Sequence, residues 1–258
     1  LGNNIQLHFE IPQTKDIITR SNFSIVIATH MARKESVQIQ LNKLVTGQIS
    51  HLQQIFILWV DSQFDCPNLS FFDIKNIHPG LTIEIIPSTT GFITDRFLIP
   101  KHLKTETVLI MDDDLDVKPE YIEYSYALYK KFGFENRIFG ASRRICTEDA
   151  YKMGQKAHYN MILTNFAFVS VEMLRVFNLK KYESLRNLTV SIRNCDDILF
   201  NFIIQAELDT FPLGIDIRFH DTSKSKGIST QSDHMSKRVY CCKHFQQFFG
   251  VSPLHMNH

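Results

Sequence analysis

Thr107-Val-Leu-Ile-Met-Asp-Asp-Asp-Leu-Asp116 decides how this chain is read. Thr107 to Met111 form a short apolar run, the pattern of a strand buried on both faces. The run leads straight into three adjacent carboxylates, Asp112, Asp113 and Asp114. Adjacent carboxylates raise each other's pKa unless a cation or hydrogen-bond donors neutralise them. If the extended backbone continues, alternate side chains share a side, so Asp112 and Asp114 face one ligand. Hard oxygen donors suit Mg2+ or Mn2+, and those ions keep positions open for phosphate oxygens. The bland alternative is a solvated acidic turn ahead of the helix that Pro119 opens, over Glu120 to Phe132. The buried strand in front of the carboxylates favours the ligand reading.

Outward from this stretch the pattern repeats. Phe23-Ser-Ile-Val-Ile-Ala28, Gln54-Ile-Phe-Ile-Leu-Trp-Val60 and Leu81-Thr-Ile-Glu-Ile-Ile86 read as three further buried strands. Lys34 to Val45 carries apolar residues at 37, 41, 44 and 45, a helical spacing. Alternating strands and helices predict an α/β chain, with a mostly parallel sheet flanked by helices. Ligands bind such sheets beyond the carboxyl ends of the strands. Thr29, Asp61 and Asp112 all fall just past strand ends and so converge on one edge.

The second half is more mixed. Asn136 to Gly140 and Met161 to Val169 read as strands, Val171 to Phe177 as a short helix. Asp196 to Glu207 reads as a helix with Ile198, Leu199, Phe202 and Ile203 on its apolar face. Gly227 to Ser232 has a loop composition. No repeat, low-complexity segment or linker interrupts the chain, so one domain over residues 1–258 is expected.

Composition narrows the function classes. With 44% apolar residues and 21 Phe, the 258 residues can build a sizeable core. Net charge is +1, from 28 basic and 27 acidic residues, which gives no field to gather nucleic acid. No apolar stretch approaches the ~20 residues that span a bilayer. Leu1-Gly2-Asn3-Asn4 has no signal-peptide pattern and reads as a cut edge, which leaves a membrane anchor upstream open. Cys66, Cys146, Cys195, Cys241 and Cys242 lack CxxC zinc spacing; they allow two bridges and leave one thiol over. Cys66, Cys146 and Cys242 read as structural or incidental. Asn-x-Ser/Thr triplets at Asn22, Asn68 and Asn187 lean toward a secretory location. No GxxxxGK[ST] loop occurs, which argues against a phosphotransferase built on the same acidic run.

Several stretches, in order, resemble the exostosin-like glycosyltransferases of family 64. They are Phe23-Ser-Ile-Val-Ile-Ala-Thr29, Ile55-Phe-Ile-Leu-Trp-Val-Asp61, Asp95-Arg96 and Val108-Leu-Ile-Met-Asp-Asp-Asp-Leu115. Gly140-Ala-Ser-Arg-Arg144, Asn194-Cys-Asp-Asp-Ile-Leu-Phe-Asn-Phe-Ile-Ile204 and His234-Met-Ser-Lys-Arg-Val-Tyr-Cys241 continue the series. The resemblance implies a GT-A fold, Rossmann-like, with a nucleotide-sugar half over about 1–116 and an acceptor half over about 117–258. It implies a UDP-sugar donor (GlcNAc or GalNAc), Mn2+ with Mg2+ as the alternative, and retaining transfer to a sugar hydroxyl of a glycan or glycolipid. It implies a secretory-pathway location, in the Golgi or endoplasmic reticulum.

By position, Asp114 resembles the metal ligand, with Asp112 shared between metal and donor and Asp113 on the donor. Arg96 resembles a donor-contacting base, and Asp197 the carboxylate beside the donor sugar and acceptor. His234 and Arg238, four residues apart, resemble the pair that holds the diphosphate. Thr29, Arg33, Asp61, Arg144 and Asn194 complete the expected donor site, although Arg33, Arg143 and Arg144 also read as solvent-facing charges. Asp196 or Asp197 could instead serve the helix N-terminus. Cys195 and Cys241 match a family disulfide, and Trp59 reads as core. One departure stands out: the family often has Asn-Asn after the strand Trp, where this chain has Val60-Asp61. A carboxylate accepts from uracil N3–H or from guanine N1–H and its amino group, so a GDP-mannose-using glycolipid mannosyltransferase stays open. A catalytically silent glycan-binding homologue is the rival from another class.

Overall fold

The computed structural model of the chain describes residues 22–132, 134–221 and 231–256. The first half alternates as its apolar runs predict: β1 (Phe23–Thr29), α1 (Lys34–Thr46), β2 (Leu52–Trp59), β3 (Thr82–Pro87) and β4 (Thr107–Asp112). β5 (Leu115–Val117) and α2 (Pro119–Lys131) follow, with Pro119 at the start of the helix. The second half holds β6 (Phe139–Gly140), β7 (Arg143–Cys146), β8 (Tyr151–Met153), β9 (Met161–Ile162), β10 (Phe166–Ser170), α3 (Val171–Phe177) and α4 (Glu183–Ile192). It continues with α5 (Asp196–Leu208), β11 (Leu213–Gly214), β12 (Phe219–Asp221) and α6 (His234–Phe249).

A seven-stranded sheet in the order β11-β6-β10-β4-β1-β2-β3 forms the frame. β4, β1, β2 and β3 are parallel, and β10 runs antiparallel to both β4 and β6. This is the mostly parallel, helix-flanked sheet expected of the GT-A class. Two small sheets, β12-β5 and β8-β7-β9, lie beside it.

Period-two alternation, with helices on both faces, explains why the central strands are mostly apolar. Ile25, Ile27, Ile55, Ile57, Leu109 and Met111 pack with Val37, Leu41 and Leu44 of α1 and Ile122, Tyr126 and Tyr129 of α2. Val26, Phe56, Val108 and Ile110 face the other way, onto Met173, Leu174 and Phe177 of α3 and Ile198, Leu199 and Phe202 of α5. Each such side chain contributes roughly 1.5–3 kcal/mol on burial, so both faces resist any shift of β4 and of the carboxylates at its end.

Three expectations are corrected. The stretch from Leu81 to Ile86 is not a doubly buried strand: β3 is the sheet edge, and Thr82, Glu84 and Pro87 are exposed. Met161 to Val169 is two strands, because the chain leaves the ladder at residues 163–165 and returns as β10. From Asn136 to Gly140 only the last two residues are strand, after a 3-10 turn over Phe134–Asn136. Of the loop at Gly227 to Ser232, residues 227–230 lie outside the described residues.

Candidate active site

β4 ends at Asp112, and Asp113 and Asp114 form a turn before β5. The extended alternation therefore does not carry through the acidic run, and each carboxylate finds its own partner. Asp112 Oδ1 accepts from Arg96 Nη1 at 3.0 Å. Asp113 Oδ2 accepts from Thr29 Oγ1 at 2.8 Å, and Asp114 Oδ2 from Arg33 Nη1 at 2.9 Å. Helix α1 fixes the turn from behind: Gln40 Nε2 donates to the carbonyls of Asp112 and Leu115, and Ser36 Oγ to that of Asp113. Asp61 joins the same edge, yet its oxygens already accept the backbone N–H groups of Met31 (3.1 Å) and Gln63 (2.9 Å).

From the other half, α5 brings Asp196 and Asp197 to this edge. Arg193 and Cys195 adopt left-handed backbone, φ 51° and 71°, as the chain turns into the helix. Cys195 makes no side-chain cap, and the two aspartates occupy the first turn, where the helix dipole favours negative charge. Neither is merely a capping residue. Asp196 Oδ2 accepts from Arg96 Nη2 at 2.7 Å, and that nitrogen also donates to Thr164 Oγ1 at 2.8 Å. Arg96, 4% exposed, thus joins the end of β4 to the start of α5. Asp197 Oδ2 accepts from Arg238 Nη2 at 2.6 Å, while its Oδ1 accepts from the Ile198 N–H.

His234 opens α6 and lies one helical turn before Arg238, as their spacing implies. Asn194 bridges them: its Nδ2 is 3.3 Å from His234 Nδ1, and its Oδ1 accepts from Arg238 Nη1 at 3.4 Å. The structure joins Cys195 to Cys241, the pair the resemblance implies. It also joins Cys146 to Cys242, so of the three read as structural or incidental these two are structural, and leaves Cys66 free. Arg144 is not drawn into either carboxylate cluster. Its Nη1 donates to the Arg143 carbonyl, while Arg143 pairs with Asp216 at 2.7 Å. Trp59 is core, 2% exposed.

Electrostatics separate the two acidic clusters. Burial, with Asp114 and Asp196 nearby, outweighs Arg96 and pushes Asp112 up to about 6, although 42% of its side chain remains exposed. Burial likewise pushes Asp113 up to about 7, against the pull of Arg33 and Thr29. In the second cluster burial raises Asp196 despite Arg96. Burial acts the same way on Asp197, but Arg238, its hydrogen bond and Arg96 overcome it and hold this carboxyl below its ordinary value. Burial and Arg238 hold His234 below the ordinary imidazole value.

A divalent cation fits the first cluster chemically. Asp112 and Asp114 offer hard oxygens, and burial raises the Asp112 and Asp113 carboxyls despite Arg96 and Arg33, so a further cation would favour their ionised forms. No group of three or more His, Cys, Asp or Glu ligands assembles among the described residues. An ion of the Mg2+ type takes one or two carboxylates and completes its shell with water and substrate phosphate.

Sequence reading missed several contributors. Asp95 ties down the preceding loop, accepting from Ser88, Thr89 and Thr90; the hydroxyl run ahead of it was the available signal. Gln40, Ser36 and Thr164 act on backbone or on Arg96, and only tertiary structure reveals them. Tyr151 lies against Arg238, whose Cζ is 4.4 Å from its ring centroid.

Residues 23–258 match the model of the Glycosyl transferase family 64 domain. The chain is 24% identical over 243 residues to the Exostosin-like-3 homolog of Caenorhabditis elegans, covering 91% of this chain and 28% of that protein. It is 25% identical over 173 residues to Glycosylinositol phosphorylceramide mannosyl transferase 1 of Arabidopsis thaliana, covering 63% of this chain and 52% of that protein. The chain thus spans about half or less of the length of these two relatives. Among solved structures, S. aureus TarS aligns with a TM-score of 0.49 at 12% identity, over 78% of this chain and 36% of that one.

Proposed function

The chain belongs to glycosyl transferase family 64, and on that premise we propose that it is a metal-dependent, retaining transferase. In this reading it moves GlcNAc or GalNAc from a UDP-sugar to a sugar hydroxyl of a glycan or glycolipid. One observation carries the proposal. Five carboxylates (Asp112, Asp113, Asp114, Asp196 and Asp197) meet three guanidiniums (Arg33, Arg96 and Arg238) at the carboxyl edge of the sheet. With all five ionised, the carboxylates would exceed the guanidiniums by two charges, which one divalent cation would neutralise.

Asp114 and Asp112 are the residues that would hold Mn2+, with Mg2+ as the alternative. The bound ion supplies Lewis-acid neutralisation of the departing diphosphate. Thr29 and Arg33 set the acidic turn, and Asp113 orients the donor from it. Both terminal nitrogens of Arg96 are taken up by Asp112, Thr164 and Asp196, and its Nε is buried, which favours a role behind the carboxylates over direct contact with the donor. Arg238 and His234 present donors to the diphosphate from the start of α6; Arg238 Nε is buried without a partner. Asp197 is held as the anion, with Oδ2 on Arg238 and Oδ1 on a backbone N–H. That engagement favours orienting the acceptor over attacking the sugar. Retention then follows a front-face route: the bond from C1 to the phosphate oxygen breaks, the acceptor oxygen bonds C1 on the same face, and its proton passes to the departing phosphate.

A panel of UDP- and GDP-sugars tests this, by thermal shift with and without Mn2+ and then by donor hydrolysis. Equal nucleotide binding with and without metal would remove the role given to Asp114, and absence of hydrolysis or transfer across the panel would favour the silent glycan-binding homologue. Asp61 supports a second reading. Its oxygens hold the Met31 and Gln63 N–H groups and keep lone pairs that could accept from a guanine base, and one relative is a mannosyl transferase by name, so GDP-mannose is the competing donor in the panel.

Two disulfides fit an oxidising compartment, and Asn22, Asn68 and Asn187 are exposed. With the exostosin-like kinship, these support a site of action in the Golgi or endoplasmic reticulum lumen. Among the described residues no helix is long and apolar enough to cross a membrane.

A further inference from the structure

Arg238 approaches Asp197 with its side chain almost fully covered, 6% exposed, and the guanidinium edge is only partly fixed. Nη2 bonds Asp197 at 2.6 Å, but the bond from Nη1 to Asn194 is long at 3.4 Å, and Nε has no partner. A long side chain held by one short bond at its tip keeps rotational freedom about that bond. The remaining restraint is Tyr151, whose ring centroid is 4.4 Å from Cζ and whose hydroxyl also interacts with the guanidinium.

That ring is itself held to α6. Tyr151 opens β8, and the β7–β8 register places Cys146 directly opposite it. Cys146 is bonded to Cys242, one helical turn beyond Arg238 on the same stripe of α6. The disulfide and the aromatic ring therefore meet α6 on successive turns, and the hairpin that carries the ring cannot lift away from the arginine. We infer that Tyr151 is a positioning residue for Arg238, its ring setting the guanidinium plane on Asp197 and toward the diphosphate of the donor. The inference rests on the reading above that Arg238 contacts that diphosphate.

The test is a double-mutant cycle on the full chain, read as the rate of nucleoside diphosphate release from the donor. Tyr151→Leu is expected to lower kcat about tenfold to a hundredfold, the cost of misplacing a charged group by about an ångström, with the donor KM nearly unchanged. Tyr151→Phe keeps the ring and is expected to restore most of the rate. In an Arg238→Lys background, where the planar fork is gone, Tyr151→Leu should have almost no further effect. Thermal melts accompany every variant, and Tyr151→Met replaces Tyr151→Leu if the latter does not fold. The same loss from Tyr151→Leu in both backgrounds overturns the inference, because Tyr151 then acts independently of Arg238. A loss from Tyr151→Phe as large as from Tyr151→Leu also overturns it, since the hydroxyl and not the ring is then needed. If Arg238→Lys alone leaves turnover intact, or the unmutated chain releases nothing from any donor, the functional reading has failed and the inference falls with it.

Discussion

The two acidic clusters face one edge of the sheet and are neutralised in opposite ways. Asp112 ends β4 and Asp113 and Asp114 form a turn, with the backbone held by α1, yet Asp112 and Asp113 are pushed up to about 6 and about 7. Asp196 and Asp197 lie at a helix N-terminus, buried to 4% and 7% exposure, each on its own guanidinium. There the pair splits, Asp196 raised and Asp197 lowered. A rigid backbone with unsettled charge suits a cluster completed by something that comes and goes with substrate. A cluster settled by arginine and helix dipole suits a fixed template. Arg96 touches both, so neither cluster moves without the other.

The sharpest way to break this contrast is Asp114→Ala. It should abolish the Mn2+-dependent thermal shift with nucleotide and lower turnover by about a thousandfold or more, several kcal/mol of transition-state charge stabilisation. A metal-dependent shift that survives would move the ion elsewhere. Asp197→Asn comes next. Removing one partner of a buried pair costs about 3 kcal/mol, visible in urea unfolding, while metal-dependent nucleotide binding should persist, because the first cluster is intact. Loss of that binding would show that the clusters are not separable.

Stability of the second half can be tested without touching either cluster. Replacing Cys146 and Cys242 together by Ser should lower stability by about 2–4 kcal/mol, as expected for a bridge closing a long loop, with Mn2+-dependent nucleotide binding retained. The bridge spans 96 residues. The smallest expected effect concerns pH. Asp113 is raised from its ordinary 3.8 to about 7 in the folded chain. Across that window the folded state holds a proton the unfolded state has lost, so stability falls as pH rises. Asp113→Asn should flatten this slope in metal-free urea melts. Asp197 works with the opposite sign: its contribution is present above its ordinary pKa and is lost as pH falls through its lowered value.

The contrast also explains what could be read in advance. β1, β2 and β4 announce themselves because strands buried on both faces have no polar alternation to confuse them, and β4 delivers its acids in sequence. β3 misleads because an edge strand can be nearly as apolar while half exposed. The second cluster is assembled over long separations: 100 residues from Arg96 to Asp196 and 41 from Asp197 to Arg238. Its acids and Arg238 were visible through family likeness, but not their pairing. Residues 163–165 read as strand because nothing local shows that Thr164 must leave the ladder to meet Arg96. The partner of Cys146 was illegible for the same reason, since neighbouring Cys241 and Cys242 look interchangeable in sequence.

In space they are not interchangeable. Successive residues on a helix point about 100° apart, so Cys241 reaches α5 while Cys242 reaches β7. Exchanging the two partners would require α6 to roll by that angle and carry Arg238 off its aromatic seat. Correct oxidation thus doubles as an inspection of helix orientation: a chain that has made both bonds has, by that fact, aimed its arginine.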